Sequence, residues 1–393
     1  MISTKSSPPG AVTHCGISRL PNSRLIGLLT FPPSSLLAIA YVAMDNSSQR
    51  TILRVSPACE IPQLAGEITA ALVGDGPTLG FGEITSESAP HYAAVVIGTS
   101  GSSGSPKEVA LTATALISSA RASNKFINAK PGETWSLLLP LTHIAAVNVI
   151  IRAIELGTLP IDVRNHEGEY PKADYTSIVP TQLFRALNGD DQLLNHLKSA
   201  KTVLVGGAAL SQSLRNQAGL AGIKVVTTYG MTETCGGCVY DGTPLDGVSV
   251  EIRSGKIFIR GPILASSIAL NEGWYETSDL GEMDDEKVVV LGRADDVIIS
   301  GGENLSLNAV EESLSRAFPD VQTAAFAIED PQWGHSLQIA VVGEVTNNEI
   351  STHLEKDLGA FAKPKGIHHL ASLPLLGIGK VDRKALAKGI AHE

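Results

Sequence analysis

Five short aliphatic runs, each closed by glycine or proline, constrain the fold of this chain more than any other feature. They are AAVVIG (93–98), WSLLLP (135–140), YTSIVP (175–180), KTVLVGG (201–207) and IKVVTTYG (223–230). Runs that are apolar throughout, rather than alternating, predict strands covered on both faces. The segments between them carry helical periodicity, as in ATALISSARASNKF (113–126) and TQLFRALNGDDQLLNHLKSA (181–200). Strands alternating with helices predict an α/β domain built on mainly parallel, helix-covered sheets.

The character changes after residue 240. VSVEIRSGKIFIRG (248–261) and EKVVVLGR (286–293) read as antiparallel ribbons, a β ribbon or barrel part of the large domain. NLSLNAVEESLSRAF (304–318) reads as a helix, and VQTAAFAIED and SLQIAVVGEV as two further strands. A boundary is expected between Arg293 and Asp296. It separates a large domain, 1–294, from a small α+β domain, 295–393.

Charge and cysteine content exclude several classes. The net charge is −10 and no Lys/Arg-rich run occurs, so the footprint of a nucleic-acid binder is missing. No apolar run is long enough to span a bilayer, because Leu25–Met44 is broken by Pro32, Pro33, Ser34 and Ser35. MISTKSSPPG lacks the basic-then-apolar order of a signal peptide, and four cysteines are too few for a disulfide scaffold in 393 residues. A cytoplasmic protein is expected. Cys235 and Cys238 have CxxC spacing and admit a redox pair. Without further ligands nearby, two small residues in a glycine-rich wall are the preferred reading.

Residues 98–107 read GTSGSSGSPK. Gly101 and Gly104 let backbone approach an anion. Thr99, Ser100, Ser102, Ser103 and Ser105 offer hydroxyls, and Lys107 a charge. A polyphosphate needs this set. It is not a Walker A loop, since Pro106 precedes the lysine and no Ser or Thr follows it. A flexible linker is the alternative, but the loop is expected between a buried strand and a helix, where a linker has no purpose.

Five stretches together, in this order, resemble the adenylate-forming superfamily of acyl- and aryl-CoA ligases, luciferases and peptide-synthetase adenylation domains. They are Thr99–Lys107, Gly206–Ala209, TYGMTE (228–233), SDLGEMDDEKVVVLGR (278–293) with DDVIISGGENL, and GIGKVDRKAL (377–386). The resemblance implies ATP, Mg²⁺ and CoA as cofactor and cosubstrates, and a small carboxylic acid as substrate. It assigns the hydroxyl loop and Lys107 to the β- and γ-phosphates, Thr232 to the α-phosphate and Glu233 to Mg²⁺. Gly206, Gly207, Ala208, Thr228, Tyr229 and Gly230 would frame the adenine, with Tyr229 stacking on it. Asp279 and Arg293 would take the ribose. Lys380 would bridge the carboxylate and the α-phosphate, where two anions meet and a cation lowers the barrier. Asp295 would be the hinge about which the small domain turns. Gly301 and Gly302 would then line the path of the CoA thiol. Many members are homodimers, so the resemblance admits one.

His143 and Arg152 bear on which acid is activated. By resemblance His143 borders the acyl pocket; by itself it is a histidine near a strand end. Arg152 lies in AAVNVIIRAIELG, an otherwise apolar helix. It must snorkel, pair with Glu155, or find an anion in the pocket. PLTHIAAVNVIIRAI, SIVPTQL and ISGGENL most resemble the o-succinylbenzoate–CoA ligases of menaquinone biosynthesis, whose substrate is a dicarboxylate. Arg152 would then meet the carboxylate that is not activated. Another aryl- or acyl-CoA ligase, a carrier-loading adenylation domain and a non-catalytic nucleotide sensor are the alternatives. Three positions depart from the superfamily pattern: Glu108 replaces a glycine, Ile299 a lysine, and an apolar LGIG leads to Lys380. The first 90 residues carry no usable motif.

Overall fold

The computed structural model describes residues 48–100, 106–300, 303–330, 334–376 and 380–390. The loop residues Gly101, Ser102, Ser103 and Gly104, and Gly301 and Gly302, lie outside them.

The aliphatic runs form strands at Ala93–Ser100, Trp135–Leu137, Tyr175–Ile178, Thr202–Gly206 and Val225–Met231. The last four sit in a seven-stranded sheet. Within it Ile161–Asp162, Trp135–Leu137, Tyr175–Ile178, Thr202–Gly206 and Val225–Met231 run parallel, and Gly236–Tyr240 adds antiparallel. Alternate residues serve opposite faces, as the pleat requires. Leu204 joins the core shared with helices Ile61–Val73, Ala113–Phe126 and Ile144–Glu155, whereas Val203 and Val205 join the one under Pro180–Leu187, Asp191–Ser199 and Gln212–Leu220. Ala93–Ser100 belongs instead to a mixed five-stranded sheet.

Three local expectations are corrected. Ala93–Ser100 does not lead straight to a helix: it pairs antiparallel with Pro106–Thr112, Thr99 opposite Lys107. The hydroxyl loop therefore joins two arms of a hairpin, and Lys107 stands on a strand. The segment 181–200 is two helices, because Asn188-Gly189-Asp190 interrupts it with Gly189 at φ +117° and Asp190 caps the second helix through Leu193 N–H. The stretch from residue 304 begins as strand Glu303–Ser306. The helix starts at Leu307, where Ser306 Oγ accepts the Ala309 N–H.

Ser249–Arg253, Lys256–Arg260, Tyr275–Asp284 and Lys287–Arg293 form an antiparallel four-stranded meander. After one 3-10 turn, Ala294–Asp296, the chain enters a second α+β unit with its own sheet and core around Val310, Leu314, Leu337 and Ile339. The two units touch through helices Gln212–Leu220 and Leu307–Ala317. Ser315 Oγ lies 2.7 Å from Ser211 Oγ, the Gln212 N–H donates to Glu312 Oε1 at 3.3 Å, and Gln217 Nε2 donates to the Pro319 carbonyl at 3.4 Å.

Glu108 acquires a reason. Its carboxylate accepts the Thr85 N–H and hydroxyl at 2.7 and 2.8 Å and the Ser86 N–H at 3.1 Å. Burial pushes its pKa up, but hydrogen bonds from Ser86 and Thr85 prevail and hold it down at about 2. The strand opposite closes the same contact with Gly98, where a Cβ would collide with the Glu83 backbone. Gly98→Ala is expected to destabilise the protein by about 1–3 kcal/mol, an overpacking cost, read from the midpoint of a urea titration.

Candidate active site

The site lies where the ends of Thr202–Gly206 and Val225–Met231, the meander and the small unit converge. Gly206 and Thr228 are opposed across the sheet, so closely that a Cβ at Gly206 would meet Thr228 Oγ1. Gly207 turns the chain at φ +84° and leaves the exposed Ala208 at the cleft. Gly230 passes so close to the Gly236 carbonyl that no side chain fits. Small residues are thus required by backbone contact here, and they leave an open floor.

Tyr229 and Asp279 meet directly: the phenol donates to Asp279 Oδ2 at 2.7 Å. Burial first, then the Asp279 charge, drives the Tyr229 pKa far up, so the hydroxyl keeps its proton. Asp279 also faces Arg293 in register across the meander. Arg293 is turned to Asp295, with Nε and Nη2 at 2.9 and 3.0 Å from its two carboxylate oxygens. Arg293 thus pairs with the expected hinge residue while feeling the charge of the expected ribose carboxylate.

On the other side, Thr232 and Glu233 occupy a 3-10 turn, Thr232–Thr234, held by Thr234 Oγ1 to the Gly236 carbonyl at 2.7 Å. Lys107 Nζ lies 3.1 Å from Glu233 Oε1, and their side chains are 55% and 16% exposed. A cleft of about 750 Å³ opens beside Lys107, lined also by Trp274, Tyr275, Thr277 and Asp295. Tyr275 is pushed up to about 12 by burial and then by Glu233 and Asp279. Glu233 is a hard oxygen donor suited to Mg²⁺. One carboxylate suffices where phosphates supply further ligands, and among the described residues no cluster of three metal-binding side chains competes with it.

The small unit contributes Lys380. A Cβ placed on Gly207 would sit 3.9 Å from its Cε. Lys380 keeps contact with solvent, yet burial in the cleft lowers its pKa, reinforced by Arg293 and opposed by Asp279 and Asp296. Its charge also reaches His143, the N-cap residue of helix Ile144–Glu155. Thr142 Oγ1 is 2.7 Å from His143 Nδ1. Burial first, then Lys380, brings His143 down to about 4, so it is neutral at pH 7.

Arg152, on the same helix, neither snorkels nor pairs with Glu155, which binds Arg121 instead. It is 4% exposed. Nη2 donates to Tyr240 Oη at 3.0 Å and Nη1 to Ser177 Oγ at 3.4 Å, while the guanidinium lies 5.2 Å from the Trp135 ring centre. Cys235 and Cys238 are buried, free thiols pushed up by burial, Cys238 to about 12, as packing residues would be.

Two lysines from different units thus stand in this region, Lys107 against Glu233 and Lys380 against Gly207. Two family profiles match in the same places: AMP-binding enzyme over residues 56–258 and AMP-binding enzyme C-terminal domain over 309–380. The chain belongs to the AMP-binding enzyme family. It is 37% identical to a probable 2-succinylbenzoate–CoA ligase of Mycobacterium tuberculosis, over 76% of this chain and 85% of that one. It is 28% identical to the 2-succinylbenzoate–CoA ligase of Lactococcus lactis, over 75% and 70%. Among solved structures, an arginine-to-lysine variant of E. coli MenE with bound OSB-AMS superposes with a TM-score of 0.67 at 26% identity, covering 86% of this chain and 81% of that one. No helix among the described residues is long and apolar enough to cross a membrane.

Sequence reading missed Tyr240, Ser123, Trp135 and Arg383 in this AMP-binding enzyme. Trp135 and Ser123 lie in the runs read as a strand and a helix, and Arg383 in GIGKVDRKAL, but nothing in those stretches singles them out. The His143 shift carries a sign. Its folded pKa of about 4 lies below the ordinary 6.5, so the unfolded chain binds the extra proton between these values. The contribution is complete above pH 6.5 and is lost as pH falls towards 4. Relative to His143→Gln, the parent protein is therefore expected to lose stability across that window and to level off below it, read from urea titrations at stepped pH.

Proposed function

We propose that this chain is an AMP-forming acid–CoA ligase whose acid is o-succinylbenzoate. The observation that carries the reading is Lys380 of the small unit standing beside Gly207 with its charge reaching His143, while Lys107 pairs with Glu233.

The acid carboxylate attacks the α-phosphorus of ATP, the bond to pyrophosphate breaks, and an acyl-adenylate forms. Two anions approach in that step. Lys380, an aimed cation in a partly desolvated cleft, offsets the charge as it builds. Neutral His143 brings no competing charge to the acid. Lys107 and the hydroxyl loop hold the departing phosphates. Glu233 would hold Mg²⁺, which supplies charge neutralisation of the phosphates when bound. Thr232 lies next to the α-phosphate, Tyr229 beside adenine, and Asp279 with Arg293 at the ribose. In the second step the CoA thiol attacks the acyl carbonyl and loses its proton, and AMP leaves. The small unit turns about Asp295 for this step, withdrawing Lys380 and bringing in the loop containing Gly301 and Gly302.

The substrate follows from Arg152. A buried guanidinium with neutral partners has no use in a monocarboxylate pocket, and the second carboxylate of o-succinylbenzoate gives it a counter-charge. Names borne by the relatives agree with this choice.

The purified protein, with ATP, Mg²⁺ and CoA, is expected to yield AMP and o-succinylbenzoyl-CoA by mass spectrometry, in strong preference to thioesters of benzoate or fatty acids. A thioester of another acid alone would keep the chemistry and discard the substrate. Lys380→Ala is expected to slow adenylate formation at least about a hundredfold while largely sparing transfer from pre-made acyl-adenylate to CoA. Equal loss in both half-reactions would contradict the two-orientation scheme.

A further inference from the structure

Arg152 does not stand alone. Its Nη2 donates to Tyr240 Oη, and that oxygen lies 2.8 Å from Ser123 Oγ. Either hydroxyl of that pair can donate to the other. Tyr240 and Ser123 are fully buried, and Phe126 meets the phenol ring edge-on at 5.3 Å. The ring is further fixed by Gly237, where a Cβ would stand 2.9 Å from Tyr240 Cε1. Tyr240 is also the cross-strand partner of Thr228. The residue that touches Arg152 is thus one strand away from the nucleotide segment.

Two buried donors in this cluster lack a partner among the described residues: Arg152 Nε and Trp135 Nε1. An acceptor delivered beside Arg152 Nε would satisfy that donor, and a carboxylate is the acceptor that also matches the charge. Helix geometry makes delivery reasonable. Arg152 is nine residues beyond His143, roughly 13.5 Å along the axis, and its side chain leans back towards the helix N-terminus, hence towards His143.

We propose that Tyr240, backed by Ser123, is the positioning residue that aims Arg152 at the second carboxylate of the acid and so sets the preference for a dicarboxylate. This rests on the acid–CoA ligase reading above. Tyr240 holds one Nη, Ser177 the other and the Trp135 face the plane, leaving Nε turned to the incoming carboxylate.

The test compares kcat/KM for o-succinylbenzoate and for benzoylpropionate, the same acid without its ring carboxylate, in the parent protein and in Tyr240→Phe, Ser123→Ala and Arg152→Gln. The ratio of the two is expected to fall about tenfold in Tyr240→Phe, the worth of one hydrogen bond to a charged group, with the loss in KM rather than kcat. Ser123→Ala, which keeps the phenol, is expected to shift the ratio in the same direction by less, and it carries the test should Tyr240→Phe fail to fold. A ratio that collapses in Arg152→Gln but holds in both Tyr240→Phe and Ser123→Ala overturns the positioning role and leaves the dicarboxylate reading standing. A ratio unmoved by Arg152→Gln removes the receptor itself, and the inference with it.

Discussion

The Arg383 guanidinium holds three groups at once, and the position of Lys380 depends on it. It donates to Asp296 Oδ2 at 3.0 Å, to Glu311 Oε1 at 2.9 Å and to the Ala325 carbonyl at 2.9 Å. These contacts tie the turn between the two units, helix Leu307–Ala317 and strand Gln322–Asp330 to helix Arg383–Ile390, which begins just beyond Lys380. Burial raises the Glu311 pKa and Arg383 opposes it, so the pair is the kind whose members cannot be removed singly without leaving a buried charge. Lys380 is thereby referenced to the connecting turn rather than left at the end of a free loop.

Around that anchor, the cleft is organised by charge. Lys107 with Glu233 and Arg293 with Asp295 are each neutralised internally, whereas Asp279 takes a hydrogen bond from the neutral Tyr229 phenol. Arg152 is surrounded differently, by neutral hydroxyls and an indole face. Exposed, self-compensated ion pairs cost little to break, whereas a buried cation with neutral partners is costly to leave without a counter-charge.

Much of the frame was legible in the chain. Aliphatic runs bounded by glycine and proline locate strands because a pleat covered on both faces is mostly apolar, its few polar positions being small hydroxyls such as Ser136 and Thr176, and 113–126 is a helix over its full predicted span. The hairpin carrying Lys107 was not legible, since PKEVALT shows neither a clear alternation nor a turn signal distinct from the loop. Asn188-Gly189-Asp190 did announce a break, but a helical period on both sides obscured it. Glu108 read as a departure from pattern and proves to be a loop clamp, a role that depends on residues 22 and 23 positions away.

The sequence by itself determined the chemistry on offer: hydroxyls and a lysine at one loop, a Thr-Glu pair, an Asp and Arg, a lysine just after two glycines. Local spacing fixes residue types, and residue types fix which groups can be bound. Only the tertiary structure decided which of them meet. Arg152 and Tyr240 are 88 positions apart, and Lys107 and Glu233 are 126 apart. Such contacts arise from sheet register and the docking of two units, and no period within a strand or helix encodes them. Whether Arg152 would snorkel, pair with Glu155 or stay buried was open for the same reason. The answer lay in Arg121 reaching Glu155 from another helix and in Tyr240 arriving from strand Gly236–Tyr240 of the neighbouring sheet.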